Sequence, residues 1–323
     1  MPNQTHSKTP QESAWNTSTW PILLQYRRND LAENNFHGAI AIWSGQKLIA
    51  SLGGEQVCYA RSLMKLFYMK LFAQELKDNT SWEQKAISLA SHNGTPHHAQ
   101  VAQSLLSEKD QHLMKTPPSK PLVPSNPQEA LLESPWIHNS SGNHAGVLKG
   151  CQIKGWDTSN YMSTEHSVYK NLLSKLQSLL KWNPTRVAKD GDGLPTVALT
   201  VNELAAFYST LVNEKSQDWI WESMVRCPEM IGGVNRLDTS IIQACRGKVI
   251  AKEGADGLLG MAIEHPDYPQ GLGIVIKMAH GWCPQPTWSI ASALLKKLNF
   301  DLPTPEAPHG QTVHLSPKIT ELI

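Results

Sequence analysis

The clearest hydrophobic pattern is a set of short β-type runs towards both ends of the chain, with helical patterns between them. GAIAIW and KLIASL, joined by the turn SGQ, predict a hairpin that begins after Phe36. KVIAKEG, LLGMAIE and LGIVIKM are three further β-rich runs near the other end. This order predicts an α+β fold in which an antiparallel sheet is covered by helices.

Helical periodicity occupies the middle of the chain. The run from 62 to 76 contains no Gly or Pro and is apolar on most sides, which is typical of a buried helix. Further helices are predicted over residues 81–90, 144–154, 166–180, 201–212, 216–225 and 288–298. Five prolines in TPPSKPLVPSNP, residues 116–127, predict a surface loop instead.

Composition narrows the class of protein. With 323 residues and 40% hydrophobic residues, the chain can bury a substantial core in one large domain or two joined lobes. Its 29 basic and 28 acidic residues create no field that would gather nucleic acid or a membrane surface, so a small-molecule partner is expected. A polar N-terminus, no long apolar window and five cysteines without CxxC spacing predict a soluble cytoplasmic protein with reduced thiols.

RSLMK, residues 61–65, is the sharpest candidate for chemistry. Residues three apart share a helical face, so the Ser62 hydroxyl and the Lys65 amine can approach hydrogen-bonding distance. A lysine whose pKa is depressed by burial can remove the serine proton, and the start of a helix favours a developing oxyanion. The alternative interpretation is a helix-capping serine followed by a surface lysine.

Two polar segments are further candidates. SHNGTPHH, residues 91–98, follows a predicted helix and places Ser91 and Asn93 where they can face a cleft; a hydrated histidine-rich loop is the alternative. NSSGNHAG, residues 139–146, is either a binding loop with close backbone approach or a helix start capped by Ser141.

Two glycine-containing segments complete the set. DGDGLP begins at Asp190 and lacks the spaced acidic ligands and closing Glu of an EF-hand. AKEG places Lys252 near the end of a predicted strand with Gly254 after it. The arrangement partly matches the Lys-Thr-Gly strand of penicillin-recognising enzymes, with Glu253 in the middle position.

Together these segments resemble the bacterial serine/lysine-dependent L-asparaginase II family, of the rhizobial thermolabile type. The resemblance runs in the family's order through GAIAIW, RSLMK, ASHNGTPHH, NSSGNHAG, DGDGLP, GGVNRLDT, AKEGADG and LGIVIK. It implies a fold like that of serine β-lactamases and penicillin-binding proteins, with an antiparallel sheet covered by helices and a helical lobe. It also implies a homodimer.

The resemblance implies two Ser/Lys pairs, Ser62 with Lys65 and Ser91 with Lys252. In the family, one serine attacks the side-chain amide carbonyl and its lysine relays the proton to leaving ammonia. Water then hydrolyses the acyl-enzyme. Substrate-binding or supporting roles are implied for Arg61, Asn93, His144, Asp190 and Arg236.

Departures from the family are concentrated at its zinc site. Where relatives have two cysteines and a lysine, this chain has Ser140, Asn143 and Asp192. Because Zn²⁺ favours thiolates, a hydroxyl, an amide and one carboxylate form a poor set of ligands. We therefore expect no metal and no other cofactor. ENNF, residues 33–36, replaces a serine and a histidine of the family and implies a remodelled amino-acid pocket.

The sequence thus predicts an amidohydrolase that releases ammonia from asparagine or a related small amino-acid amide. Acyl transfer to an amine on the same fold, and a non-catalytic amino-acid-binding module, are the alternatives. We expect a flexible leader over residues 1–25, a catalytic domain over 26–303 and a C-terminal tail over 304–323.

Overall fold

The computed structural model describes residues 20–124, 126–180 and 186–323. The expected leader therefore lies outside the described residues up to residue 19. The strands are β1 (Ile22–Arg28), β2 (Leu31–Ser44), β3 (Lys47–Leu52), β4 (Val57–Tyr59), β5 (Val187–Lys189), β6 (Pro195–Thr200), β7 (Val249–Gly254), β8 (Leu258–His265), β9 (Tyr268–Met278) and β10 (Thr312–Leu315).

The α-helices are α1 (Lys65–Lys70), α2 (Ala73–Leu76), α3 (Trp82–Ser88), α4 (Pro96–Gln103), α5 (Ser141–Lys154), α6 (Ser167–Leu180), α7 (Val201–Asn213), α8 (Ile220–Arg226), α9 (Leu237–Ala244), α10 (Pro284–Lys297) and α11 (Pro317–Thr320). A 3₁₀ turn, Arg61–Met64, precedes α1 directly. Within the described ranges, every helix is too short or too polar to cross a membrane.

Seven of the described strands form one antiparallel sheet. Its order is β10-β1-β2-β9-β8-β7, and β3 pairs with β2 beside this path. The first half of β2 pairs with β1, whereas its second half lies between β9 and β3. The second half is buried, as a central strand covered on its faces must be. The predicted α+β fold with an antiparallel sheet and covering helices is confirmed.

Helix α7 lies directly against the sheet, over β2, β8 and β9. It begins with a capping box in which Thr200 and Glu203 satisfy each other's backbone N–H groups. Gly273 of β9 faces the helix, and an added Cβ there would overlap the carbonyl oxygen of Ala205. A glycine therefore permits the close approach of helix and strand at this point.

Helices α3, α4 and α5 pack together as the predicted helical lobe. Gly142 and Gly146 lie one turn apart on α5, where added Cβ atoms would overlap Ile87 and Ser88 of α3. Because the two backbones come this close, the segment that follows α3 lies beside the start of α5. This contact brings Ser91 near Ser140.

Most elements agree with the sequence pattern, but the run over 62–76 is not one helix. It consists of the 3₁₀ turn, α1 and α2, with Phe72 between the two helices in a non-helical conformation. Arg61 has a positive φ of 48°, which sets the sharp entry to the turn. Strand β10, inside the expected tail, pairs with β1.

The alternative interpretation of segment 91–98 as a hydrated loop is wrong. Ser91, His92 and Asn93 are buried, and Pro96 begins α4 after a capping box formed by Thr95 and its partner three residues on. The Ser141 alternative fails as well, because Ser141 lies inside α5 and its hydroxyl donates to the Trp136 carbonyl.

Candidate active site

A cavity of about 600 Å³ lies where the end of β7 meets the helical lobe. The predicted residues Ser62, Ser91 and Arg236 line it, together with Asn139 and Glu253. Ser62 comes from the 3₁₀ turn, Ser91 from the segment after α3, and Arg236 from the position before α9. Three distant parts of the chain therefore supply polar groups to one cavity.

Lys65 is the centre of the hydrogen bonds beside this cavity. Its amine is buried and donates to Ser91 Oγ at 3.0 Å, Ser140 Oγ at 2.8 Å and the Ala90 carbonyl oxygen at 2.7 Å. These three acceptors come from the segment that follows α3 and from the residue that precedes α5. The lysine of the RSLMK motif is thus not the surface lysine of the alternative interpretation.

The surroundings of the Lys65 amine shift its pKa towards neutrality. Burial lowers its pKa to about 7, because the charged form loses its hydration. The positive charges of Lys252 and Arg236 act in the same direction, whereas the carboxylates of Asp192 and Asp190 oppose them. At neutral pH a substantial fraction of this amine is uncharged and can accept a proton.

Ser62 has a different environment. It is half-buried and lines the cavity, and across the described ranges its hydroxyl has no protein hydrogen-bond partner. The expected hydrogen bond between Ser62 and Lys65 is therefore absent from the described residues, because the Lys65 amine donates to Ser91 instead. The Ser62 hydroxyl is left free to contact a ligand.

Lys252 is fully buried in β7, behind the wall of the cavity. Its amine donates to the Glu253 carbonyl oxygen at 2.7 Å and lies 3.5 Å from Asp238 Oδ2. Burial lowers the Lys252 pKa to about 8, and the Asp238 carboxylate limits the decrease. No hydrogen bond joins Lys252 to Ser91 in the described part of the chain, so the expected pairing differs from the geometry.

Arg236 connects the two halves of the site. Its Nε donates to Glu253 Oε2 at 2.9 Å, and one terminal nitrogen donates to the Ser91 carbonyl oxygen at 2.9 Å and to Asn93 Oδ1 at 3.3 Å. The Asn93 amide nitrogen donates in turn to the Val234 carbonyl oxygen at 2.9 Å. These bonds fix the backbone of Ser91 and leave the Arg236 guanidinium mostly occupied.

Arg61 and Asp190 form an ion pair beside the cavity without lining it. Arg61 Nε donates to Asp190 Oδ1 at 2.7 Å, and a terminal nitrogen contacts Asp256. One guanidinium thus faces two carboxylates. Strands β4, β5 and β6 form a separate small sheet in the order β4-β6-β5, and Asp190 is in the turn between β5 and β6. This ion pair therefore ties the small sheet to the start of the RSLMK turn.

His144 lies deeper, fully buried in α5. Its Nδ1 is 2.7 Å from the Tyr161 hydroxyl, and its Nε2 is 3.8 Å from Asp192 Oδ2. Burial alone would raise the Asp192 pKa, but the His144 contact and the Lys65 charge hold it well below its usual range. His144 Nε2 and Asn143 Oδ1 are buried atoms without a hydrogen-bond partner in the described residues.

The three positions for which the resemblance implies zinc ligands in relatives are engaged in hydrogen bonds here and do not fit a zinc ion. Ser140 Oγ accepts from Lys65, the Asn143 amide nitrogen donates to the Ser88 carbonyl oxygen, and Asp192 Oδ1 accepts from the Leu194 N–H. Across residues 20–124, 126–180 and 186–323, no group of three or more His, Cys, Asp or Glu side chains could hold a metal. The side chains present are hydrogen-bonding groups, not soft ligands.

Several residues of the site carried no individual sequence signal. Asp238 lies inside the quoted GGVNRLDT segment, but nothing in the motif distinguishes it from an exposed aspartate. Tyr161 and Leu122 lie in irregular segments. Each reaches the site through tertiary packing, so spacing along the chain does not indicate them.

Comparison with known proteins identifies a matching family. A family model described as L-asparaginase II matches residues 24–320. No curated protein matches the chain.

Proposed function

The chain belongs to the L-asparaginase II family, and from that premise we propose that it hydrolyses a small amino-acid amide through an acyl-serine intermediate. The substrate is asparagine or a related side-chain amide. The supporting observation is the contact between the buried Lys65 amine and Ser91 Oγ at a cavity that Ser62 also lines. Because Ser91 contacts a partly neutral amine and shares the cavity with Ser62, it can relay a proton from the Ser62 hydroxyl to that amine.

In the proposed reaction, Ser62 Oγ attacks the carbonyl carbon of the side-chain amide. The Ser62 proton passes through the Ser91 hydroxyl to the neutral Lys65 amine. When the carbon–nitrogen bond breaks, Lys65 returns this proton to the leaving nitrogen and ammonia departs. Water then attacks the ester on Ser62, Lys65 accepts a proton from it, and the carboxylic acid is released as the Ser62 hydroxyl is restored.

The surrounding charges support this assignment. Burial lowers the Lys65 pKa most, and the charges of Lys252 and Arg236 lower it further against the opposing carboxylates of Asp192 and Asp190, which keeps the base available near neutral pH. Arg236 also holds the Ser91 backbone through its carbonyl oxygen, so the relay serine stays beside the amine. Lys252 therefore acts through its charge and not as a second base.

The test is a comparison of two serine variants. Ser62→Ala should abolish ammonia release while its melting temperature stays within a few degrees of the unmodified protein, because a half-buried hydroxyl adds little to packing. Mass spectrometry after incubation with asparagine and an amide panel should find an acyl adduct on Ser62. An adduct on Ser91 would move the nucleophile there, and no ammonia and no adduct with any amide would overturn the proposal.

Two further outcomes of the same assay bear on the alternatives. If a new amide forms together with ammonia when an amine is added to the assay, acyl transfer is favoured. Amino-acid binding by calorimetry without turnover would favour a binding module. The buried amine beside a serine argues against the module, because an amine without its hydration is costly to retain for packing alone.

The homodimer and cytoplasmic location stay predictions. Size-exclusion chromatography with light scattering measures the first, and an assembly of about two chain masses is the expected result. Cell fractionation with immunodetection measures the second, and recovery in the cytosolic fraction is expected.

A further inference from the structure

The active-site cavity has apolar as well as polar lining residues. Leu122, Val123, Trp282 and Trp288 line it together with Ser62 and Ser91. Trp282 is 72% exposed and Leu122 is 54% exposed, which is unusual for side chains of this size. Large apolar groups that line one cavity and stay exposed mark a surface that a ligand covers.

The loop that carries Leu122 and Val123 is fixed to the segment that follows Ser91. The Leu122 N–H donates to the Asn93 carbonyl oxygen at 2.8 Å, two residues after Ser91. Gly94, with φ of 77°, lies against Pro121, where an added Cβ would meet the proline backbone. The loop with Leu122 is therefore held close to the segment with Ser91, so one molecule can contact both.

The charges that line the cavity disfavour a free carboxylate. The charged residues of the lining are Arg236, Glu253 and Asp256. Arg236 is paired with Glu253, whereas Asp256 is paired with Arg61, which lies outside the lining and is shared with Asp190. In the described residues, no cation that lines this cavity is without a carboxylate partner. One carboxylate is in excess around Arg61, and the Asp256 side chain is 59% exposed. The lining thus complements an ammonium group better than a free α-carboxylate.

From these features we propose that the substrate is an asparagine-type amide with a free amine, whose α-carboxyl group carries an apolar substituent through an amide or ester bond. The inference rests on the proposed function and names its substrate class. The amine lies towards Asp256, the side-chain amide lies at Ser62, and the substituent covers Trp282 and Leu122. The volume of about 600 Å³ suits such a molecule, since pockets for drug-sized ligands measure roughly 300–1,000 Å³.

Binding tests this inference separately from turnover. Calorimetry on the Ser62→Ala/Ser91→Ala protein would compare L-asparagine, L-asparagine benzylamide and N-benzoyl-L-asparagine. We expect the benzylamide to bind on the order of tenfold or more tightly than asparagine, because it buries apolar surface. The N-benzoyl compound, which lacks the amine and keeps the carboxylate, should show no gain. Equal affinity of benzylamide and asparagine, or a preference for N-benzoyl-asparagine, overturns the inference.

A pair of variants locates the apolar contact. Trp282→Ala should reduce the affinity ratio of benzylamide to asparagine by about fivefold or more. Leu131→Ala is the matched control, because Leu131 is 79% exposed and lies outside the cavity lining; it should leave the ratio unchanged. An unchanged affinity ratio in Trp282→Ala overturns the proposed contact between the apolar substituent and Trp282.

Ammonia release by the unmodified protein then separates the two proposals. Tight benzylamide binding without ammonia from any amide supports the ligand class and removes the hydrolase function. Turnover of asparagine without a benzylamide preference supports the hydrolase and removes the ligand class.

Discussion

Two buried lysines lie near one cavity, and their partners give them different chemistry. Lys65 donates to the hydroxyl groups of Ser91 and Ser140, and no carboxylate in the described residues lies within ion-pair distance of it. Lys252 lies beside the buried carboxylate Asp238. Burial lowers the pKa of both amines, to about 7 and about 8. The two equally buried amines therefore differ in their surroundings, because only Lys252 has an adjacent carboxylate, which favours its charged form.

The largest expected effect is on catalysis at Lys65. Lys65→Met should reduce kcat/KM by on the order of 10³-fold, because the proton acceptor is removed. Lys85→Met is the matched control: Lys85 is also buried, but its amine donates to the Lys77 and Thr80 carbonyl oxygens away from the cavity. Ammonia assays on both variants check the difference, and equal losses would contradict the base role.

The next largest effect is on stability and concerns the carboxylate beside Lys252. Asp238→Asn should lower the free energy of unfolding by about 3–5 kcal/mol, because it leaves a buried amine without its counter-charge. Ser140→Ala, beside Lys65, should cost about 1 kcal/mol, since one hydrogen bond is lost. Urea titrations measure both, and a smaller cost for Asp238→Asn than for Ser140→Ala would refute the comparison.

The third expectation is a pH dependence. Lys65 accepts a proton only in its neutral form, so kcat/KM should rise with pH through about 7. Below that value the rate should fall by about tenfold per unit, as expected for one required deprotonation. Ammonia release measured from pH 5 to 8 checks the profile, and a flat profile over this range would exclude Lys65 as the base.

The smallest effect is a pair of opposite shifts. Asp192→Asn removes a negative charge that raises the Lys65 pKa, so the midpoint of the profile should move to lower pH. Lys252→Met removes a positive charge that lowers it, so the midpoint should move to higher pH. Each shift should be less than about one unit. The control Asp267→Asn, at an exposed site, should move nothing, and shifts in one direction for both variants would disprove the electrostatic account.

The fold was largely predictable because its elements have strong local patterns. The β-rich runs and most helices follow from apolar spacing, and the predicted sheet and helical lobe are present. Short elements were not predictable: β10 has four residues, and α4 begins in a segment of histidines and proline. Their conformations are stabilised by pairing with β1 and by a capping box, which a short pattern cannot indicate.

The candidate site was predictable in its residue types but not in its pairing. The motifs indicate Ser62, Lys65, Ser91 and Lys252, yet a spacing of three residues suggests the wrong hydroxyl for Lys65. A lysine side chain is long enough for its amine to reach acceptors beyond its own helical turn. The amine hydrogen-bonds to buried acceptors that have no access to water. The acceptors at Ala90, Ser91 and Ser140 are such groups.

By itself, then, the sequence determined an α+β chain of the L-asparaginase II family with two serines and two lysines as candidates for amide chemistry. Only the tertiary structure decided that Lys65 contacts Ser91, that Asp238 accompanies Lys252, and that Trp282 and Leu122 border the same cavity. The physical reason is that pKa values and hydrogen bonds depend on which groups share a dry environment. Close packing of α3 on α5 and of α9 on β7 creates that environment from segments far apart in the chain.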